Sequence, residues 1–287
     1  LSIRDRAATD APPSMPNPDG IAERFVAARL EGRSLDAFPG QVPDDLVAAY
    51  RVQDAAIARW PDRLVGWKVG FIGAERRDAS GDERLLGPIF ARHLSQSRGE
   101  VEIDIFDGGF GAVEAEYVLR LEADMPAGQD RWSPQQAEAF PASLHIGVEI
   151  ASSPLATING LGPRVVVSDF GNNNGLILGD EIPDWRAIPE ARLTCRTLIE
   201  GAEVGRGGAT TLPGGLRAAF AFALTRSAAR GRRLRAGDLI ATGNATGIHD
   251  ISVGQRASVV FDGHGAIACR ARAARPRGAD GGAVERA

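Results

Sequence analysis

From residue 64 onward the chain breaks into short apolar runs separated by turn dipeptides, and this texture confines it to a β-rich body. Strand-like stretches fall at 64–69, 112–121, 145–150, 165–167, 175–178, 193–199, 238–241 and 257–261. Asp107-Gly108-Gly109, Glu200-Gly201 and Asp262-Gly263 supply reversals between them. The 35 glycines suit many tight turns. Ahead of this body, residues 20–60 read as helical. Ile21, Phe25 and Ala28 recur at helical spacing, as do Leu46, Ala49, Tyr50, Gln53 and Ile57, with Asp44 or Asp45 as the cap of the second helix. A further amphipathic helix is expected over 216–229. The order of elements predicts an α+β fold: a segment at 1–18 expected to be disordered, a small helical N-terminal part with the first strands at 19–97, a β-rich domain at 98–272, and a second disordered tail at 273–287.

Composition excludes several functions. Lysines and arginines (33) are interspersed with aspartates and glutamates (37), so no basic face is available to neutralise a phosphate backbone, and nucleic acid is not an expected partner. No apolar run approaches the ~20 residues needed to span a bilayer, and residues 1–19 hold no apolar secretory core. Cys195 and Cys269 lack metal-ligand spacing and read as reduced core residues in a cytoplasmic protein.

The chemistry-bearing pattern is acidic. Residues 111–119 read as a strand in which Glu114 and Glu116 share one face, while Val113, Ala115, Tyr117 and Leu119 share the other. Spacing alone is satisfied by a solvated acidic face. Glu149 changes the balance, because Ile146, Val148 and Ile150 surround it in a strand where an unpaired charge is costly to bury. Three carboxylates suit a hard cation, Mg2+ or Mn2+, better than zinc.

Taken in order, several segments resemble the 2-keto-4-pentenoate hydratase family of the fumarylacetoacetate hydrolase superfamily. They are Gly66-Trp67-Lys68-Val69-Gly70-Phe71, Gly87-Pro88-Ile89-Phe90, Val113-Glu114-Ala115-Glu116, Glu149-Ile150-Ala151-Ser152-Ser153, Ser168-Asp169-Phe170-Gly171-Asn172-Asn173-Asn174 and Ala236-Gly237-Asp238-Leu239-Ile240-Ala241-Thr242-Gly243. The resemblance spans about residues 20–270. It implies a mixed β-sandwich roll with an N-terminal helical extension, and a homo-oligomer. It also implies a hydratase-type lyase of aromatic catabolism, in which Glu114, Glu116 and Glu149 hold Mg2+ or Mn2+ under a short 2-oxo acid or 2-hydroxydienoate. Lys68 falls on the lysine beside the substrate, Asp169 on a catalytic acid, and Asn172 and Thr242 on substrate contacts.

The chain departs from that family around the substrate tail. Leu85 and Leu86 stand where hydratases often carry an acid, Phe170 follows Asp169 in place of Asn, and the stretch 244–250 differs. His249 in that stretch is a candidate replacement proton carrier, ahead of His145, His93 and His264. These departures keep C–C bond hydrolysis, 2-oxo acid decarboxylation and an idle 2-oxo acid-binding protein open beside hydration.

Overall fold

The computed structural model describes residues 17–276. The segments expected to be disordered lie outside this range except at their inner ends, where helix α1 (Pro18–Glu31) begins and the last strand finishes. Asn17 caps α1, its Oδ1 accepting from the Gly20 N–H at 3.1 Å. Helix α2 (Leu46–Arg59) follows, and Asp45 rather than Asp44 is its cap, accepting from the Ala48 N–H at 2.7 Å. Strands β1 (Leu64–Phe71), β2 (Arg84–Phe90), β3 (Leu94–Gln96), β4 (Glu100–Ile105) and β5 (Phe110–Leu121) come next. Helix α3 (Pro134–Ala139), strand β6 (Ala142–Ser153), the short helices α4 (Ile158–Leu161) and α5 (Pro163–Ser168), and strands β7 (Asn173–Glu181), β8 (Thr194–Ile199) and β9 (Ala202–Gly208) form the middle. Helix α6 (Gly215–Ala229) and strands β10 (Leu239–Ala241), β11 (Ile248–Asp250), β12 (Arg256–Phe261) and β13 (Gly265–Ala273) complete it.

One expected strand is a helix. Residues 165–167 lie in α5, which Gly162 turns the chain into at φ 102° and which Pro163 opens. Three consecutive valines carry no period that separates helix from strand.

The strands form two sheets. The larger has the order β2-β1-β10-β5-β6-β7-β3, with β11 also pairing β5; the smaller runs β4-β13-β12-β8-β9. The strands of the helical N-terminal part, β1 to β3, thus belong to the same sheet as β5, β6 and β7. That sheet is curled: β2 and β7 approach each other although β1, β10, β5 and β6 lie between them in its order. Its outer face packs on the smaller sheet, where Val113, Ala115, Tyr117 and Leu119 join the main core and the Tyr117 ring meets Phe261 edge-on. Its inner face encloses a second apolar cluster of Val65, Ile89, Val118, Leu176, Leu178, Leu239 and Ala241. Glu114 and Glu116 alternate with the outward residues and therefore point inward beside Val118. Helix α2 braces this roll: the Tyr50 hydroxyl accepts from the Leu86 N–H at 2.9 Å, and Gln53 donates to the carbonyls of Leu86 and Val167.

Both cysteines are buried and free, and burial pushes each thiol up to about 12. Among the described residues no helix is long and apolar enough to cross a membrane.

Candidate metal centre

Strands β5 and β6 pair residue for residue, which sets Glu114 directly opposite Glu149 and Glu116 opposite Gly147. Directly paired residues share a face, so all three carboxylates converge inside the curled sheet. One oxygen from each lies within 4.8 Å of the others. Gly147 leaves the space beside Glu116 without a side chain, where a Cβ would come 2.6 Å from Val118 Cγ2. The solvated face that spacing alone allows is not what forms: Glu114 is 2% exposed, and Glu116 and Glu149 are fully buried. The reason is the curl, which covers the inner face with the sheet's own edge strands.

Glu149 and Glu116 each have one oxygen anchored by this chain, and each of the three carboxylates has one left over. Lys68 Nζ on β1 sits 3.2 Å from Glu149 Oε1, and Asn173 Nδ2 donates to the same oxygen at 3.1 Å. The Gly243 N–H donates to Glu116 Oε2 at 2.7 Å. The Asn244 side chain lies beside the Glu114 carboxylate and favours its charged form. Glu114 Oε1, Glu116 Oε1 and Glu149 Oε2 are buried with no hydrogen-bond partner. Orphaned acceptors of this kind are rare in native interiors. Three negative charges against one ammonium leave two uncompensated, the charge that a divalent cation cancels.

Protonation follows from the same crowding. Burial raises Glu149 to about 7, with Lys68 and Asn173 pulling back against it. Burial, then the Glu149 and Glu114 charges, drives Glu116 well above the ordinary carboxylate range. Burial also raises Glu114, against the opposing pull of Lys68. Burial alone would depress Lys68, yet the charges of Glu149, Glu114 and Glu116 outweigh it and keep the ammonium protonated.

Lys68 and Glu114 line a cavity of about 150 Å3, while Glu116 and Glu149 are buried outside its lining. Ile72, Leu85, Val166 and Ile248 make apolar walls, and Asn172 and Asn244 add amides. A wider groove of about 670 Å3, lined by Arg63, Trp67 and Arg232 among others, lies on the opposite face of β1. It contains none of the three carboxylates, so the chemistry belongs to the smaller cavity.

The other expected site residues divide. Asn172 lines the cavity, and its buried Oδ1 has no hydrogen-bond partner. Thr242 is buried behind the site, its hydroxyl donating to the Tyr117 carbonyl at 2.8 Å. Asp169 is outside the cavity lining, with both oxygens engaged: Oδ1 accepts from Arg29 Nε at 2.5 Å, and Oδ2 accepts from Arg29 Nη2 at 2.9 Å and Ser153 Oγ at 2.6 Å. His249 is not brought to the cluster. Ile248 and His249 alternate on β11, so with Ile248 in the cavity wall the imidazole faces away, its Nε2 3.1 Å from the Thr246 carbonyl. Burial lowers its pKa. His249→Asn is therefore expected to leave kcat within about threefold of wild type in a steady-state assay, since a group off the reaction path contributes no transition-state interaction.

Arg29 is an important residue that the sequence pattern does not single out. It is 2% exposed on α1 and donates to Asp169, to the Asn173 and Ser152 carbonyls and to Asn174 Oδ1. Its guanidinium also lies 5.1 Å from the centroid of the Phe170 ring, which packs edge-on against Trp60 and Phe90. The Phe departure from the family pattern thus fills an aromatic cluster behind the site. No signal in one dimension distinguishes Arg29 from the exposed arginines around it.

The mixed α+β roll is a fold this chain shares with solved enzymes at low sequence identity. No protein-family model matches the sequence, and none of the curated proteins matches it significantly. Solved structures do. The 4-oxalocrotonate decarboxylase from Pseudomonas putida G7 was solved with calcium and acetate and with magnesium and adipate. These structures superpose with TM-scores of 0.71 and 0.73 at 21% identity, covering 88% of this chain and 96% and 97% of that one. A 5-carboxymethyl-2-hydroxymuconate delta-isomerase from Mycobacterium smegmatis gives 0.52 at 16% identity over 74% of this chain and 80% of its own. Fumarylpyruvate hydrolase from Pseudomonas aeruginosa, in complex with Mn2+ and pyruvate, gives 0.50 at 17% identity over 74% of this chain and 90% of its own.

Proposed function

We propose that this chain is a metal-dependent lyase acting on a short 2-oxo acid. The observation that carries the reading is the set of three converging, buried, partnerless carboxylate oxygens beside a charged lysine, with that lysine and Glu114 lining a small cavity. Glu114, Glu116 and Glu149 would hold Mg2+ or Mn2+, which when bound supplies a Lewis acid for the neighbouring carboxylate and keto oxygens of such a substrate. The magnesium and manganese complexes of the structural neighbours support that choice of ion.

Lys68 contributes positive charge where the keto oxygen gains electron density, and Glu149 and Asn173 fix the position from which it does so. Asn172 presents an unused amide oxygen that would accept from a 2-hydroxyl as the keto group becomes an enol. The apolar walls exclude water from the rest of the substrate.

Among lyase reactions on this head, the cavity favours decarboxylation over water addition. Adding water across a double bond requires a side chain above the tail that can exchange protons. Ile72, Leu85, Val166 and Ile248 offer none, and Leu85 stands where the family resemblance places an acid. Decarboxylation asks less of the protein. A carbon–carbon bond to a carboxylate conjugated with the keto group breaks, its electron pair moves onto the 2-oxo oxygen, carbon dioxide leaves, and one proton is taken up. Apolar walls favour that loss of charge. The decarboxylase neighbour, which aligns over a larger share of this chain than the hydrolase and isomerase do, supports the same reading.

The test is a panel of 2-oxo-enedioates, 2-hydroxydienoates and acylpyruvates offered with Mg2+ or Mn2+. Chelator-sensitive release of carbon dioxide is the expected result. Chelator-sensitive consumption of the dienoate instead would establish hydration, and cleavage of acylpyruvates would establish C–C hydrolysis. Oxalate binding with no turnover would mark an idle relative. Lys68→Met is expected to lower kcat by about 10^2–10^3-fold, the scale of a lost electrostatic stabiliser, while calorimetry still detects the divalent ion.

A further inference from the structure

The wide groove behind β1 gathers hydrogen-bond donors that the protein itself does not use. Trp67 lines it and is fully buried, yet its Nε1 hydrogen has no acceptor among the described residues. Arg230, at the C-terminal end of α6, has its guanidinium carbon 4.9 Å from the centroid of that indole and 4.4 Å from that of Tyr50. Its side chain is 8% exposed. Nη2 donates to Asp54 Oδ1 at 2.7 Å, while Nε and Nη1 are buried without a partner. Indole and guanidinium are donors only, so three N–H-bearing nitrogens in one place lack an acceptor, a combination that native interiors rarely leave. The charge around the groove has the matching sign. Arg63, Arg232, Arg233 and Arg235 line it against Asp124 and Asp238. Both acids are engaged by the turn before β10: Asp124 Oδ1 accepts from the Ala236 N–H and Asp238 Oδ2 from the Arg235 N–H, each at 2.8 Å. Arg232 pairs with Asp54 and Arg233 with Asp130, but Arg63 and Arg235 are exposed and form no ion pair among the described residues.

We propose that this groove is a binding site for a small polyanionic metabolite, one that carries phosphate or clustered carboxylate oxygens. Ionised oxyanions are acceptors only, the complement of a set of groups that only donate. Trp67 and Arg230 supply the buried donors, and Arg63 and Arg235 supply positive charge at the exposed rim. The volume of about 670 Å3 is that of a small-molecule pocket and exceeds the needs of a single ion. Trp67 and Lys68 are consecutive on β1 and point to opposite faces, so the site is separate from the carboxylate cluster and does not depend on the lyase reading.

The experiment uses the full chain stripped of divalent ions on a chelating resin, so that no metal at the carboxylate cluster can hold an anion. Pyrophosphate, citrate and acetate are titrated at matched ionic strength, with calorimetry and the indole N–H resonances of the 1H–15N spectrum as readouts; Trp67→Phe assigns the Trp67 signal. The expected result is saturable binding of pyrophosphate or citrate together with a downfield shift of the Trp67 N–H, the signature of a donor that gains an acceptor. The stronger binder of the two tells a phosphate-bearing ligand from a carboxylate-bearing one. The double variant Arg63→Gln, Arg235→Gln changes two exposed positions and should keep the wild-type melting temperature while raising Kd by about tenfold or more, the scale of a lost charged hydrogen bond. Saturable binding that moves no indole N–H, or that is unchanged in the double variant, places the anion elsewhere and overturns the proposal. So does the lack of saturable binding by either polyanion, or an equal response to acetate.

Discussion

Replacing Glu116 by Gln is expected to abolish turnover and, at the same time, to raise the melting temperature of the metal-free protein. Glu116 is fully buried, and burial together with the neighbouring Glu149 and Glu114 charges holds its carboxyl well above the usual range. An acid whose folded pKa is raised binds more protons in the native than in the unfolded state, so stability falls as pH climbs from the unfolded value toward the folded one. For Glu149 the window runs from about 4.5 to about 7. The metal-free wild type should therefore lose stability across that interval, by up to ~1.4 kcal/mol for each pH step of one within it. The Gln variant is relieved of one contributor at neutral pH and should gain roughly 1–3 kcal/mol, or about 2–10 °C, in the absence of divalent ions. Adding Mg2+ or Mn2+ should reverse the ranking. The wild type binds the ion through deprotonated carboxylates, so its metal-induced stabilisation should grow from pH 5 to pH 8. The variant should show little response, and its turnover should drop by ~10^3-fold or more, the equivalent of several kcal/mol of lost Lewis-acid stabilisation. Differential scanning fluorimetry with and without chelator reads both halves. A variant that melts below the metal-free wild type and still responds to metal would remove Glu116 from the site.

Much of this site was readable in one dimension because strand alternation is a strict rule. It placed Glu114 and Glu116 on one face, and the apolar neighbours of Glu149 marked a charge that needed company. What alternation could not show was which face closes. Burial of the acids depends on the curl that brings β2 toward β7, a long-range property of the whole sheet. The helices at 18–31, 46–59 and 215–229 were legible from periodicity and capping. The helix at 163–168 was not, because three valines fit either state and the deciding signal was the Gly-Pro before them. Asp169 and His249 show the limit of carrying roles by position: one has its oxygens occupied by Arg29 and Ser153, the other faces away from the cavity. Arg29 lies 140 residues from its partner Asp169, a separation that no local pattern encodes.

The second large effect is expected at that pair. Arg29→Met should destabilise the protein by about 3–5 kcal/mol, because it strands the Asp169 carboxylate in the interior with its one charged partner among the described residues gone and only the Ser153 hydroxyl left. The cost extends to the catalytic side through the backbone. Phe170, Gly171 and Asn172 follow Asp169 with φ of 54°, 64° and 69°, a left-handed run that only strong flanking contacts sustain. Gly171 has no Cβ, and one there would lie 2.6 Å from the Gly87 Cα, so the loop rests directly on the strand that flanks Lys68. Asn172 then enters the cavity and Asn173 reaches Glu149. Arg29 thus acts through the loop as a positioning residue, and its loss should lower kcat by about 10–100-fold even at temperatures where the variant stays folded. The double variant Arg29→Met, Asp169→Asn separates this from simple loss of packing. Neutralising the stranded acid should recover at least ~2 kcal/mol of stability in urea denaturation, the sign of a coupled pair, but should not restore kcat, because the loop lacks its clamp in both variants. Additive losses would mean that the two side chains act independently, and full recovery of kcat in the double variant would show that the loop holds its shape without Arg29.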